Sequence, residues 1–123
     1  LHAEVGGTIE MDGPEVFRRA VRVMVDSATR ALEAAGVGVE DLALFVPHQA
    51  NMRIIDAAAR RLGIPEERTA TNIARLGNTS AASIPLVLHE AAEAGRLRAG
   101  DRVLAIGFGA GMSWASAVIE WAV

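Results

Sequence analysis

The feature that most constrains this chain is the uninterrupted apolar run Leu42-Ala43-Leu44-Phe45-Val46-Pro47, which gives way at once to His48-Gln49-Ala50-Asn51. A short apolar run without polar alternation, closed by a Pro and polar groups, fits a strand covered on both faces, as in parallel sheets of α/β domains. Ligands of open α/β sheets sit beyond the carboxyl ends of such strands. His48 therefore stands where chemistry is done, although a His at a strand end also serves as a hydrogen-bonded structural residue. Asn51 has two readings as well, a helix cap or a functional amide. A second polar island follows at Gly77-Asn78-Thr79-Ser80. By itself it is a loop signal, because Gly and Asn tolerate left-handed backbone.

Helical and extended patterns surround these two islands. Pro14 suits a first helical position after Gly13. Phe17, Val21, Val25, Ala28 and Leu32 recur at three- or four-residue spacing and predict an amphipathic helix ending near Gly36. Asn51 is placed to cap a second helix, with Ile55, Ala59 and Leu62 inward and Gly63 at its end. Arg68 to Asn72 reads as a weak short strand. A third helix is expected from roughly Ser80 to Ala94, with Thr79 or Ser80 available as its cap and Pro85 tolerable only near its first turn. Val103 to Ile106 and Trp114 to Trp121 read as strands joined across Gly107-Phe108-Gly109-Ala110-Gly111. Val5 to Met11 alternates and is an edge strand or a loop. The order β-α-β-α-β-α-β-β predicts an α/β fold, a mixed sheet with helices on its faces. At 123 residues the chain is expected to form a single domain, 1–123, burying about two-thirds of its unfolded surface.

Composition removes several classes of function. The chain has no Cys, so disulfides, thiolate metal sites and a Cys nucleophile are all excluded from it. His2 and His89 lack metal-ligand spacing with His48, and no metal site is expected. Hydrophobic residues make up 51%, yet no apolar stretch approaches the roughly 18 residues of a membrane span. That surplus predicts burial against another domain or subunit. The net charge of −3 argues against nucleic acid as a partner. All twelve basic residues are Arg. Arg18, Arg19 and Arg22 on the first helix, with Arg53, Arg60 and Arg61 on the second, form either a solvated basic face or a docking surface for an acidic or phosphorylated partner. The chain opens on Leu1 without Met or a signal-like segment, as expected for a piece of something longer.

If the two polar turns follow strands of one sheet, an imidazole N–H and an amide NH₂ can converge on one carbonyl oxygen. Such donors stabilise an enolate or oxyanion by about 3 kcal/mol each when desolvated. The glycine cluster at 107–111 invites a nucleotide-loop reading, but extended sequence follows it where a dinucleotide fingerprint needs a helix. It is a glycine-rich hairpin, or a turn whose backbone N–H groups face a developing negative charge. Gly111-Met112-Ser113-Trp114-Ala115 half-matches a nucleophile elbow but lacks the last Gly and the following helix.

Three motifs together carry a resemblance: Val46-Pro47-His48-Gln49-Ala50-Asn51, Gly77-Asn78-Thr79-Ser80-Ala81-Ala82-Ser83 and Phe108-Gly109-Ala110-Gly111-Met112-Ser113-Trp114. In this order they closely resemble the C-terminal half of the β-ketoacyl-[acyl-carrier-protein] synthase III family, initiating condensing enzymes with a thiolase-like fold. The similarity runs from about Gly13 to the end. It implies that His48 and Asn78 are two members of a Cys-His-Asn triad. Phe108 would border the active site, and the Ala110 amide would sit in the oxyanion loop, where the family usually has Gly. Phe17, Asn51 and Ile54 match positions lining the pantetheine tunnel. Arg18, Arg53, Arg60 and Arg61 fall where family members present basic residues to acyl carrier protein.

The resemblance further implies a cytoplasmic acyltransferase, homodimeric when complete, that needs no cofactor. Its substrates would be acyl-CoA and malonyl-acyl carrier protein, joined by decarboxylative Claisen condensation at the start of fatty-acid synthesis. The nucleophilic Cys belongs to the family's N-terminal half, absent from this sequence, so this chain alone is expected to be inactive. Two other readings stay open: a non-catalytic assembly half-domain, and a polyketide starter synthase or acyltransferase of the same fold.

Overall fold

The apolar run forms an outer strand of a three-stranded mixed sheet, covered on both faces. In the computed structural model, which describes residues 2–3, 9–10 and 13–123, this strand is β3 (Leu42–Pro47). It is preceded by a two-residue antiparallel pairing of β1 (His2–Ala3) with β2 (Ile9–Glu10), and by helix α1 (Gly13–Ala35). After β3 come α2 (Met52–Leu62), a single turn α3 (Ile73–Leu76), α4 (Ser83–Glu93), β4 (Arg102–Gly109) and β5 (Ser113–Glu120). β4 lies between its neighbours, parallel to β3 and antiparallel to β5. The sheet is mixed and flanked by helices, as the sequence pattern predicts. The rest of the Val5 to Met11 segment lies outside the described residues.

Both faces of β3 are covered, which is why its sequence does not alternate. Phe45 joins Met24, Ala28 and Leu32 of α1, Ala58 and Ala59 of α2, and Leu104 and Ile106 of β4 in one buried cluster. Leu44 and Val46 face the other way, onto Val87 and Ala91 of α4 and Val103 of β4. Leu42 breaks the alternation and packs with the first cluster. The reason is a register irregularity between Leu42 and Leu44 in the pairing with β4.

The local signals that held are the two ends of α2. Asn51 caps α2 by accepting a hydrogen bond from the Arg53 backbone N–H at 2.9 Å, and Gly63 ends the helix at φ +75°. Four expectations need correcting. Arg68 to Asn72 makes no strand: Glu66–Arg68 is a 3₁₀ turn, and only a single bridge joins Thr69 to Phe45. The third helix starts at Ser83, not Ser80, because Ser80 has φ +54°, outside any right-handed helix. Neither Thr79 nor Ser80 caps it with a side chain, and the Thr79 hydroxyl is buried without a partner. The hairpin turn is shorter than 107–111, since β4 runs on to Gly109 and the reversal is Ala110–Met112. Pro85 does fall in the first turn of α4, where its missing N–H costs least.

Candidate active site

A cleft of about 1240 Å³ opens at the carboxyl ends of β3 and β4. It is lined from six places in the chain: the start of α1, the β3–α2 turn, the first turn of α2, the loop before α4, the first turn of α4, and the end of β4 with its turn. This is the position that the parallel pairing of β3 with β4 dictates for a ligand site.

His48 leaves the sheet in a fixed pose. Its backbone N–H continues the ladder one residue beyond β3, donating to the Ile106 carbonyl at 2.8 Å. The chain then turns sharply, with the Ala50 N–H returning to the His48 carbonyl at 3.0 Å. On the ring, Nδ1 lies 2.5 Å from the Ser83 hydroxyl of α4. That contact occupies the rear nitrogen and leaves Nε2 for a ligand. Burial holds the imidazole below its ordinary value of 6.5, because the charged form loses hydration. Among the described residues, the ionisable groups lining the cleft are His48, Arg18 and Arg53, with no carboxylate. The neutral ring is thus the form favoured at neutral pH.

Asn78 lies on the opposite lip, after Gly77, whose φ of +67° with ψ −159° is backbone that glycine adopts readily. The Asn78 Oδ1 accepts a hydrogen bond from the Ser80 N–H at 2.9 Å. With the amide oxygen committed to the chain's own turn, the NH₂ is the end left for a ligand. The two-residue spacing makes this an Asx turn, in which the Asn78 side chain takes the place of a backbone carbonyl. An ion pair between Arg75 and Glu90, 2.6 Å, links α3 to α4 beside this loop.

Gln49 holds the two lips in register. It is wholly buried, and its Nε2 donates to the Pro47 carbonyl at 2.7 Å and to Ala70 at 3.4 Å. Its Oε1 accepts from the N–H groups of Asn72 at 3.0 Å and Ile73 at 3.3 Å. At the end of the segment expected to be a strand, this amide serves the Asn72 N–H, whereas the Ala70 N–H donates to the Phe45 carbonyl of β3 at 2.9 Å.

Of the residues singled out from sequence, His48, Asn78, Phe108, Ala110, Phe17, Asn51, Ile54, Arg18 and Arg53 all line the one cleft. Arg60 and Arg61 do not: they lie exposed in the last turn of α2. Arg53 stacks over the Phe17 ring, 5.8 Å from its centroid, joining α2 to α1 at the rim. Ala110 lines the cleft from the turn after β4, where Gly111 takes φ +73° freely and Met112 is held at φ +56°. Among the described residues no cluster of three or more His, Cys, Asp or Glu could hold a metal. Nor is any helix among them long and apolar enough to cross a membrane. Sequence reading missed Gln49 and Ser83 as site-building residues. Their one signal was that each is a polar residue within the same motif as His48 or Asn78.

A family model described as 3-oxoacyl-[acyl-carrier-protein (ACP)] synthase III C terminal matches residues 32–121. The chain belongs to that family. It is 52% identical over 114 residues to β-ketoacyl-[acyl-carrier-protein] synthase III of Desulfitobacterium hafniense, covering 93% of this chain and 34% of that protein. The crystal structure of the Thermus thermophilus synthase III superposes with a TM-score of 0.90 at 56% identity, covering 98% of this chain and 41% of that one. The priming β-ketosynthase of a polyketide biosynthetic pathway superposes with a TM-score of 0.84 at 47% identity, covering 92% of this chain and 34% of that one. The chain thus spans about a third of the length of the curated relatives it matches. The thiolase-like fold expected from the three motifs is that of these synthases, and the cleft lies within a synthase III C-terminal domain.

Proposed function

We propose that this chain is the donor-bearing C-terminal part of a β-ketoacyl-acyl carrier protein synthase III. In the whole protein it would take part in the decarboxylative condensation of an acyl-CoA primer with malonyl-acyl carrier protein. The observation that carries the reading is the pair of pre-oriented donors: His48 tied behind its ring to Ser83, and Asn78 tied through its oxygen to the Ser80 N–H, both lining one cleft.

The chemistry follows from that orientation. A Cys in the remaining part of the protein carries the acyl group as a thioester. The malonyl thioester carbonyl accepts hydrogen bonds from His48 Nε2 and Asn78 Nδ2. Cleavage of the C–C bond releases CO₂ and leaves its electron pair as an enolate, whose negative oxygen those donors hold. The enolate carbon attacks the acyl-Cys carbonyl, the resulting oxyanion faces the turn at Ala110, and collapse expels the Cys thiolate and frees the β-ketoacyl product. A neutral imidazole donor suits this role better than a general base, and burial keeps His48 neutral. Phe17, Asn51 and Ile54 line the pantetheine path in this reading, and Arg18 and Arg53 meet acyl carrier protein at its mouth, with Arg60 and Arg61 as outlying attraction. The working form is a cytoplasmic homodimer without a cofactor.

The test uses the full-length protein. His48→Ala and Asn78→Ala should each lower malonyl-acyl carrier protein decarboxylation by about 10²–10³-fold while leaving transfer of the acyl group from CoA to Cys intact. Loss of both half-reactions together would reassign the two residues. A polyketide priming role is the second reading, favoured by the 47% identity to a priming β-ketosynthase. Primer and acceptor-carrier preference of the full-length protein separates the two. Retention of oriented donors speaks against a purely scaffolding half-domain.

A further inference from the structure

We infer that Ser83 is a positioning residue that sets the tautomer of His48, so that Nε2 carries the proton presented to the cleft. The inference rests on the reading of His48 as a hydrogen-bond donor and names the group that makes it one.

Counting donors at the Ser83 oxygen leads to it. Ser83 is the first residue of α4 and is 1% exposed, so water does not serve its hydroxyl. A hydroxyl has one proton and two lone pairs. The Gln49 backbone N–H, which can only donate, points at that oxygen from 3.3 Å. The other contact is His48 Nδ1 at 2.5 Å. Among the described residues, Nδ1 is the one acceptor within reach of the hydroxyl proton. Were Nδ1 protonated instead, two N–H groups would converge on Oγ and its own proton would be buried with no acceptor, an arrangement native interiors avoid. The chain of donation therefore runs from Gln49 N–H to Ser83 Oγ, and from Ser83 O–H to His48 Nδ1. The ring proton is left on Nε2. The same short segment, 77–83, thus supplies one donor in Asn78 and fixes the polarity of the other through Ser83.

The experiment is ¹⁵N NMR of the imidazole nitrogens in the full-length protein at neutral pH, beside steady-state decarboxylation of malonyl-acyl carrier protein. The wild type is expected to show His48 Nδ1 as the unprotonated nitrogen and Nε2 as the protonated one. Ser83→Ala should abolish that preference and lower kcat about tenfold or more with KM little changed, since the lost interaction acts at the reacting oxygen. Ser83→Thr, which keeps the hydroxyl, should restore both. A wild-type spectrum with the proton on Nδ1 overturns the inference, and this measurement decides the matter even if Ser83→Ala does not fold. So does a folded Ser83→Ala that keeps the wild-type tautomer, whatever its rate. A tautomer that changes while kcat stays constant upholds the role of Ser83 and instead removes the donor role of His48.

Discussion

Replacing Gln49 with Leu tests whether one buried amide holds the cleft together. Leu is of similar size but offers no hydrogen bonds. The Asn72 N–H would lose its partner at 3.0 Å in a buried position, and the Ile73 N–H a longer one at 3.3 Å in a half-buried position. A buried orphaned donor costs about 1–3 kcal/mol. About 2 kcal/mol for Asn72, about 1 for Ile73 and about 1 for the lost 2.7 Å bond to Pro47 give roughly 4 kcal/mol. Against a typical stability of about 5–15 kcal/mol, that is a large fraction.

Equilibrium urea unfolding of the full-length protein at fixed concentration reads this loss as a lowered midpoint with an unchanged slope. Trp114 and Trp121, both in the C-terminal strand region, contribute a fluorescence signal from this domain. Gln49→Glu sharpens the test through pH. As a carboxylate it still accepts from Asn72 and Ile73 but sets a negative charge against the Pro47 and Ala70 carbonyls; protonated, it donates again. Its folded pKa is therefore raised above the ordinary Glu value of about 4.3. The matching stability is full below that value and is lost as pH rises through the folded pKa. A Gln49→Leu protein within about 1 kcal/mol of wild type would refute the assignment, because two N–H groups would then have found other partners.

Three further outcomes are expected. The lowered pKa of His48 means that stability linked to this group is complete above its ordinary value of 6.5 and is lost as pH falls below it towards the folded value; the acid limb of the decarboxylation pH profile should likewise lie below 6.5 and vanish in His48→Gln. Gly77→Ala places no new atom within 4 Å of a neighbour, so its cost is backbone strain alone, about 1–3 kcal/mol by denaturation, and it should lower kcat by moving Asn78. Arg53→Ala removes the contact with Phe17 at the cleft rim and should raise KM for the carrier-protein substrate at low salt, whereas the Arg60→Ala/Arg61→Ala pair, away from the cleft, should act more weakly and fade with added salt.

What the sequence determined by itself was local. The covered strand showed in the run Leu42 to Pro47, since burial on both faces removes polar alternation. The ends of α2 showed in Asn51 and Gly63, since capping chemistry acts within a few residues. The turns that place His48 and Asn78 at the cleft were legible for the same reason, since neighbouring residues specify them. Tertiary structure decided the rest. Residues 68–72 carry a strand-like pattern, yet they meet β3 at a single bridge, and the Asn72 N–H goes to Gln49, a partner that a local pattern cannot name. Ser80 looked like the start of a helix, but its backbone is left-handed at φ +54° and α4 begins only at Ser83. The pairing of Ser83 with His48 joins residues 35 apart in sequence, and only the packing of α4 against β3 brings them within hydrogen-bond reach. Which residues carry donors was written in the chain, whereas the direction in which those donors point depends on contacts made across the fold.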